Sequence, residues 1–307
     1  GGIYKEGFDL TMTAPEGYTV YFTVNDTDPR ATSPLRYTSP LHLKDTTEMA
    51  WGKLTSKSAT LMGSPYNPVT STFPGAAVVK AYAVRESDGA VTPLTTQTYF
   101  IGEMYTEWGV DIVSVSVNSD DFMGKDGIYN TLRTDADGGH SHMPAYVEFI
   151  SPKGEVVHMG WSEIAMNGRG SLGMTQKSFR ILLKSHVMET EDVFENLNTL
   201  NYDLYKEYAS VTPDGERVTW YRHILLRNGG GDMSGSTISR SHIGDAYIQR
   251  LDRILIPDVM AYAPVVTFIN GEFWGTFNAR DRMDPKYFEG KYGRLATPIA
   301  RENAFAC

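Results

Sequence analysis

Residues 167–177, Asn-Gly-Arg-Gly-Ser-Leu-Gly-Met-Thr-Gln-Lys, carry the groups in this chain best suited to hold a phosphate. Glycine lets the backbone take positive φ and come close to a ligand. Amides freed in such a turn can cradle phosphate oxygens, and a nearby ammonium can neutralise them. Here Gly168, Gly170 and Ser171 would supply the turn and Lys177 the ammonium. Strand-like runs precede and follow it, Glu163 to Met166 and Phe179 to Leu183. A glycine loop with a lysine on the next strand is how kinases hold ATP. The spacing excludes a P-loop, which needs lysine directly after glycine and then a helix. It also lacks the repeated glycines of the ordinary kinase loop. Read locally, the same residues make either a phosphate cradle or a hairpin turn with a solvated lysine.

Other groups could take part. RNGGGDMSGSTISRSHIGDAYIQRL (227–251) has apolar residues at helical spacing in its second half. Arg240 there could reach a phosphate or a carboxylate, or be a surface arginine. It faces away from Asp245, because five residues turn a helix by roughly 500°. An acidic residue after the 264–279 hairpin, such as Asp281, could pair with Lys177 as a kinase's helix glutamate does. Asp135, Asp137, His140 and His142 suggest a metal loop but lack the further oxygen ligands and closing glutamate of a calcium site. A solvated loop accounts for them equally.

The elements that position these groups read as mostly β. The chain has 307 residues, 41% hydrophobic and 21% charged, which suits two globular domains. No run of 18 apolar residues exists, so no membrane span is expected. A net charge of −9 argues against nonspecific nucleic-acid binding. The single cysteine, Cys307, can form neither an internal disulfide nor a multi-thiolate metal site.

Residues 1–102 alternate with the strand period at 19–24, 78–84 and 96–101 and carry turn formers at Asn25-Asp26-Thr27-Asp28-Pro29 and Ser87-Asp88-Gly89. A β-sandwich follows. Residues 103–110 read as a linker. Beyond it, strands are expected at 112–117, after a turn at 126–129, at 146–150, 163–166 and 179–183, and around a type I′ Asn270-Gly271 turn. Asn118 reads as a turn or helix cap. One or two helices are expected within 188–208.

The first segment resembles the chitobiase/β-hexosaminidase C-terminal-like domain. The resemblance rests on Asn25-Asp26-Thr27-Asp28-Pro29, Tyr37-Thr38-Ser39-Pro40 and Lys80-Ala81-Tyr82-Ala83, with Thr27 where glycine is usual. It implies an immunoglobulin-like accessory module of exported bacterial proteins, in which an exposed aromatic such as Trp51 could stack on a glycan. Residues 111–307 resemble the amino-terminal two-thirds of the spore coat protein H (CotH) kinase family. The motifs are VSVSVNSDDF (113–122), GIY (127–129), NGRGSLGMTQKSFRILL (167–183), RNGGGD with its arginine-bearing helix, and INGEFWGTFNARDRMD (269–284).

That resemblance implies an exported atypical kinase, with an α+β kinase-like domain after the β-sandwich. It would use ATP with Mg or Mn to phosphorylate serine in an acceptor protein. Gly168, Gly170 and Ser171 would form the loop, Lys177 would contact the phosphates, and Asp281 would orient the lysine. Leu172 replaces a common tryptophan and Gln176 a common basic residue. The family's catalytic Asn-x-Asp-Trp and metal-binding Trp-Asp-x-Asp segments find no match after Met283, and Asp258 and Asp284 are no substitutes. A truncated fragment that binds nucleotide weakly and does not turn over is therefore expected. The alternative is a cell-surface glycan-binding or structural envelope protein with a degenerate kinase-like part.

Overall fold

The computed structural model describes residues 1–50, 72–131, 141–168, 172, 176–183, 199–229, 242–253, 255–256 and 258–293. The chain is β-rich, as the alternation implies. Its first part holds β1 (Gly2–Tyr4), β2 (Phe8–Leu10), β3 (Tyr18–Thr23), β4 (Leu35–Arg36), β5 (Leu41–Leu43), β6 (Met49–Ala50), β7 (Thr72–Phe73), β8 (Ala77–Arg85) and β9 (Thr95–Ile101). The main sheet runs β1-β9-β8-β3-β4, and the small pairs β2–β5 and β6–β7 complete the module. Side chains alternate along β8 and β9. Val79, Tyr99 and Ile101 pack with Leu43 and Phe8 of the β2–β5 pair, which makes the sandwich core. Phe100, between them in sequence, faces the other way.

The second part begins with α1 (Met104–Glu107), followed by β10 (Asp111–Ser116), α2 (Ser119–Met123), α3 (Ile128–Thr131), β11 (His142–Ile150), β12 (Val156–Met166) and β13 (Phe179–Leu182). Then come β14 (Leu200–Asn201), β15 (Trp220–Tyr221), β16 (His223–Arg227), α4 (Gly244–Asp252), β17 (Ala263–Ile269), β18 (Glu272–Asp281) and α5 (Pro285–Tyr292). Seven strands close into a barrel in the order β10-β11-β12-β13-β16-β18-β17. Closure removes exposed strand edges. Inward residues such as Val113, Val147, Ile164, Ile181, Leu226, Val265 and Phe277 fill it, so the interior is a packed core.

Strand direction sorts the connections. The glycine loop, α2, α3, the Asn270-Gly271 turn and the end of β16 lie at one end, here the loop end. Residues 199–221 and α5 lie at the other, far end. The Asn270-Gly271 turn has φ of 52° and 77°, the positive pair that a type I′ turn demands. Asn118 caps α2, its Oδ1 accepting from the amides of Asp120 (2.9 Å) and Asp121 (3.2 Å).

Three expectations change. Residues 128–131 are helical, where a turn at 126–129 running into a strand is expected, because adjacent Ile128 and Tyr129 both enter the barrel core, which strand alternation forbids. Of the helical stretch expected within 188–208, residues 188–198 lie outside the described residues; 199–208 form a short strand and one 3-10 turn, and Leu200, Leu204 and Tyr205 cap the far end of the core, which overrides helical spacing there. The segment 103–110 is packed rather than a loose linker. Tyr105 is 1% exposed, and its hydroxyl lies within hydrogen-bond distance of the carbonyls of Thr46 (2.9 Å) and Gly75 (2.8 Å), so it can donate to either. Trp108 stacks on Phe268 of β17.

The outer face of the module sheet thus packs on the barrel, around Phe100, Ile112, Ile150 and Phe268. Two buried carboxylates cross this interface. Glu148 of β11 accepts from the Thr98 amide (3.1 Å) and, in a short contact, from the Thr98 hydroxyl. Asp26 accepts from the Ser116 hydroxyl at 2.6 Å and pairs with Lys80 at 3.1 Å. Burial raises the pKa of both.

Candidate functional site

The glycine loop joins the antiparallel strands β12 and β13, with Met166 paired to Phe179. Gly168 takes a φ of 124°, a region open to glycine. Gly170 and Ser171 lie outside the described residues, as does Arg240. The far stem of the loop is clamped. Gln176 Nε2 donates to the carbonyls of Trp274 (3.3 Å) and Thr276 (3.4 Å) on β18. Asn228, just past β16, donates to the Gln176 carbonyl at 2.5 Å, and its Oδ1 accepts from the Ser178 hydroxyl at 2.9 Å.

These clamps fix Lys177. Its side chain is fully buried, against the solvated-lysine reading. Nζ donates to the Leu172 carbonyl within the loop at 2.6 Å and lies 5.2 Å from the Tyr129 ring centroid. The Tyr129 hydroxyl accepts from the Lys177 amide at 3.1 Å. Burial lowers the ammonium's pKa, and a phosphate brought beside it would raise it again.

Asp281 does not orient this lysine. Ile181 of β13 and Asp281 of β18 both pair with Ile224 of β16. Asp281 is therefore level with a residue four places beyond Lys177. That is about 13 Å along the strand and about 10 Å across two strands, beyond side-chain reach. Asp281 is buried at the far end and accepts from the Ser210 hydroxyl (2.8 Å) and the Ala261 amide (2.6 Å). Burial pushes its pKa up to about 6.

The neighbours of Asp281 are a group that sequence spacing did not reveal. His223 Nδ1 makes a short contact with Asp284, which also caps α5 by accepting from the Tyr287 amide at 3.2 Å. Burial alone would raise Asp284, but the His223 hydrogen bond and the His223 and Arg282 charges bring it below its ordinary value. Asp258 accepts from Lys291 (2.7 Å) and the Tyr292 hydroxyl (2.8 Å). Each carboxylate thus has a structural partner. The only sequence signal was the dense run Arg280–Asp284, and its partners come from distant segments.

Arg280 is 1% exposed and donates to the carbonyls of Ala261 (2.7 Å) and Met260 (3.2 Å), with Nη1 on Asp245 at 2.8 Å. Asp245 also holds Arg227 at 2.8 Å, so α4 is pinned to the barrel wall. Of the suggested metal loop, residues 132–140 lie outside the described residues. His142 has both ring nitrogens engaged, Nδ1 with Glu163 (2.9 Å) and Nε2 with Arg180 (2.8 Å). Among the described residues no three His, Asp or Glu side chains converge as metal ligands. Trp51 also lies outside the described residues.

No helix among the described residues is long and apolar enough to cross a membrane. No curated protein matches the chain. Residues 8–99 match the family model described as Fn3 associated, which makes the first segment a β-sandwich-like, fibronectin type-3 associated domain.

Proposed function

We propose that residues 111–293 form the nucleotide-holding part of a CotH-like atypical kinase that transfers phosphate from ATP to serine of an acceptor protein. One observation carries the reading. Lys177 is fully buried at the base of the glycine loop, with its ammonium 2.6 Å from the loop carbonyl of Leu172. An ammonium held there is oriented before any ligand arrives, which lowers the cost of binding a phosphate. Its charge would balance the outer phosphates of ATP, while loop amides contact their oxygens.

The described residues offer no ligand cluster for Mg or Mn, and Lys177 is the group that would meet the phosphates. With Asp281 at the opposite end of the barrel, the lysine and loop alone support nucleotide binding. The expected property is weak ATP binding without turnover. Placement in an exported bacterial protein belongs to the same proposal, by resemblance of both segments.

Calorimetric titration of ATP, with magnesium and with manganese, tests it on the wild type and on Lys177→Met. Saturable binding that weakens at least tenfold in the variant supports the reading. Equal binding by both proteins, or none by the wild type, sinks it for this chain.

A further inference from the structure

Three turns that stand out in the sequence meet at one place. Asn25–Asp28 of the module, Asn118–Asp121 at the start of α2, and Asn270-Gly271 line a cleft of about 720 Å³ between module and barrel. Its size falls in the range of small-ligand sites, about 300–1,000 Å³. Trp161 of β12 forms part of the barrel wall and is held edge-to-face by Tyr146, with centroids 5.7 Å apart.

The polar lining selects the ligand. Lys80 is the only cation among the described lining residues, and its ammonium is committed to Asp26 at 3.1 Å and the Asp26 carbonyl at 2.9 Å. Asp28 is held by Arg30 at 3.0 Å, but Asp120 and Asp121 also stand on the walls, so phosphate, sulfate and carboxylate ligands would be repelled. What remains is an indole beside side-chain carboxylates and amides. Asn25 Oδ1 accepts from the Thr27 amide and hydroxyl, which leaves its Nδ2 donor. Carboxylates accept from adjacent hydroxyls, an amide donates to a ring or hydroxyl oxygen, and an aromatic face covers apolar C–H groups. A sugar ring has all three features.

We infer that this inter-module cleft binds a neutral oligosaccharide, with Trp161 as the stacking surface and Asp121 and Asn25 among the hydrogen-bonding groups. The inference does not rest on the nucleotide reading, and it places glycan contact at the junction rather than at Trp51.

The test is an array of neutral oligosaccharides probed with the full chain, followed by calorimetry on the tightest binder. Trp161→Ala should weaken binding at least tenfold. Asp121→Asn, at an exposed position, should weaken it several-fold. Thermal melting of both variants separates lost binding from lost fold, and Lys177→Met should bind sugar as the wild type does. Absence of saturable binding to any neutral sugar overturns the inference. So does binding that Asp121→Asn and Asn25→Ala both leave unchanged. Spermine binding lost in Asp121→Asn, without sugar binding, would reassign the cleft to cations and overturn it equally.

Discussion

Lys177 and Asp281 belong to opposite ends of one barrel, because Ile181 and Asp281 share the same partner, Ile224, across β16. The two residues that sequence motifs place in one site therefore answer to different constraints. Lys177 is part of the loop and its clamps, whereas Asp281 secures the connections that close the far end.

The lysine should behave as a functional group and not as a fold-stabilising one. A buried ammonium costs free energy that methionine, of similar length, avoids. Losing the hydrogen bond to Leu172 and the contact over the Tyr129 ring offsets part of that gain, by about 1–2 kcal/mol. Lys177→Met should therefore match or exceed the wild-type Tm without ligand, while losing the Tm increase that saturating ATP gives the wild type. Thermal melts with and without ATP check this; a variant that melts far lower and still gains from ATP contradicts it.

Asp281 should make the fold less stable as pH rises. Its carboxyl moves from an ordinary 3.8 to about 6 in the folded chain because it is buried. Between those values the native state holds a proton that the unfolded chain has released. Stability is then highest below pH 4, falls as pH rises from 4 to 6, and stays low above that range. A shift of about two units corresponds to about 3 kcal/mol. Asn fits the site, with Oδ1 accepting from Ala261 and Nδ2 donating to the Ser210 hydroxyl. Asp281→Asn should equal the wild type at pH 4 and exceed it by up to about 3 kcal/mol at pH 7. Urea melts across that range read the difference, and parallel curves for the two proteins would refute it. Asp26 and Glu148 shift in the same direction and remain in both.

Local chemistry was legible in the sequence, and long-range register was not. Asn270-Gly271 announces its turn because both φ values must be positive, and Asn118 announces its cap. The alternation of 78–84 and 96–101 gives the module sheet. The Lys177–Asp281 pairing failed because it depends on how β13, β16 and β18 are aligned, which neither motif encodes. The 146–150 strand was legible, but nothing in it announced that Glu148 would be buried, because the module that covers that face lies far off in sequence. Tyr105 and Trp108 were lost in a short polar-looking connection, and only the barrel surface they meet gives them a role. In the site itself, the loop and Lys177 were legible, while the Asn228 and Gln176 clamps come from segments distant in sequence.

Thr98→Val should show how much the Glu148 contact contributes. Valine keeps the shape and the amide donor but removes the hydroxyl that Glu148 and Ser114 share. A buried acceptor that loses one donor costs about 1–3 kcal/mol. The cost should grow with pH as Glu148 ionises, since a charged carboxylate needs its donors more. Denaturant melts at low and neutral pH measure this. A loss that is constant with pH would mean that Glu148 stays protonated throughout.

Gly271→Ala tests whether the module and barrel depend on each other. Its φ of 77° strains an alanine, and a Cβ there would lie 2.5 Å from the Ala76 carbonyl oxygen. That contact sits where the Ala76 amide donates to the Gly271 carbonyl at 2.8 Å, one of the bonds joining module to barrel. Left-handed strain costs about 1–2 kcal/mol, and relieving the clash must open the junction further. With Tyr105, Phe100 and Phe268 packed in the same interface, opening it exposes apolar surface on both sides. The variant should unfold at lower denaturant, and proteolysis should separate the module from the barrel where the wild type resists. If melting falls by only the strain term and no cleavage appears near 103–110, the packing around Tyr105 holds the two parts together without the turn.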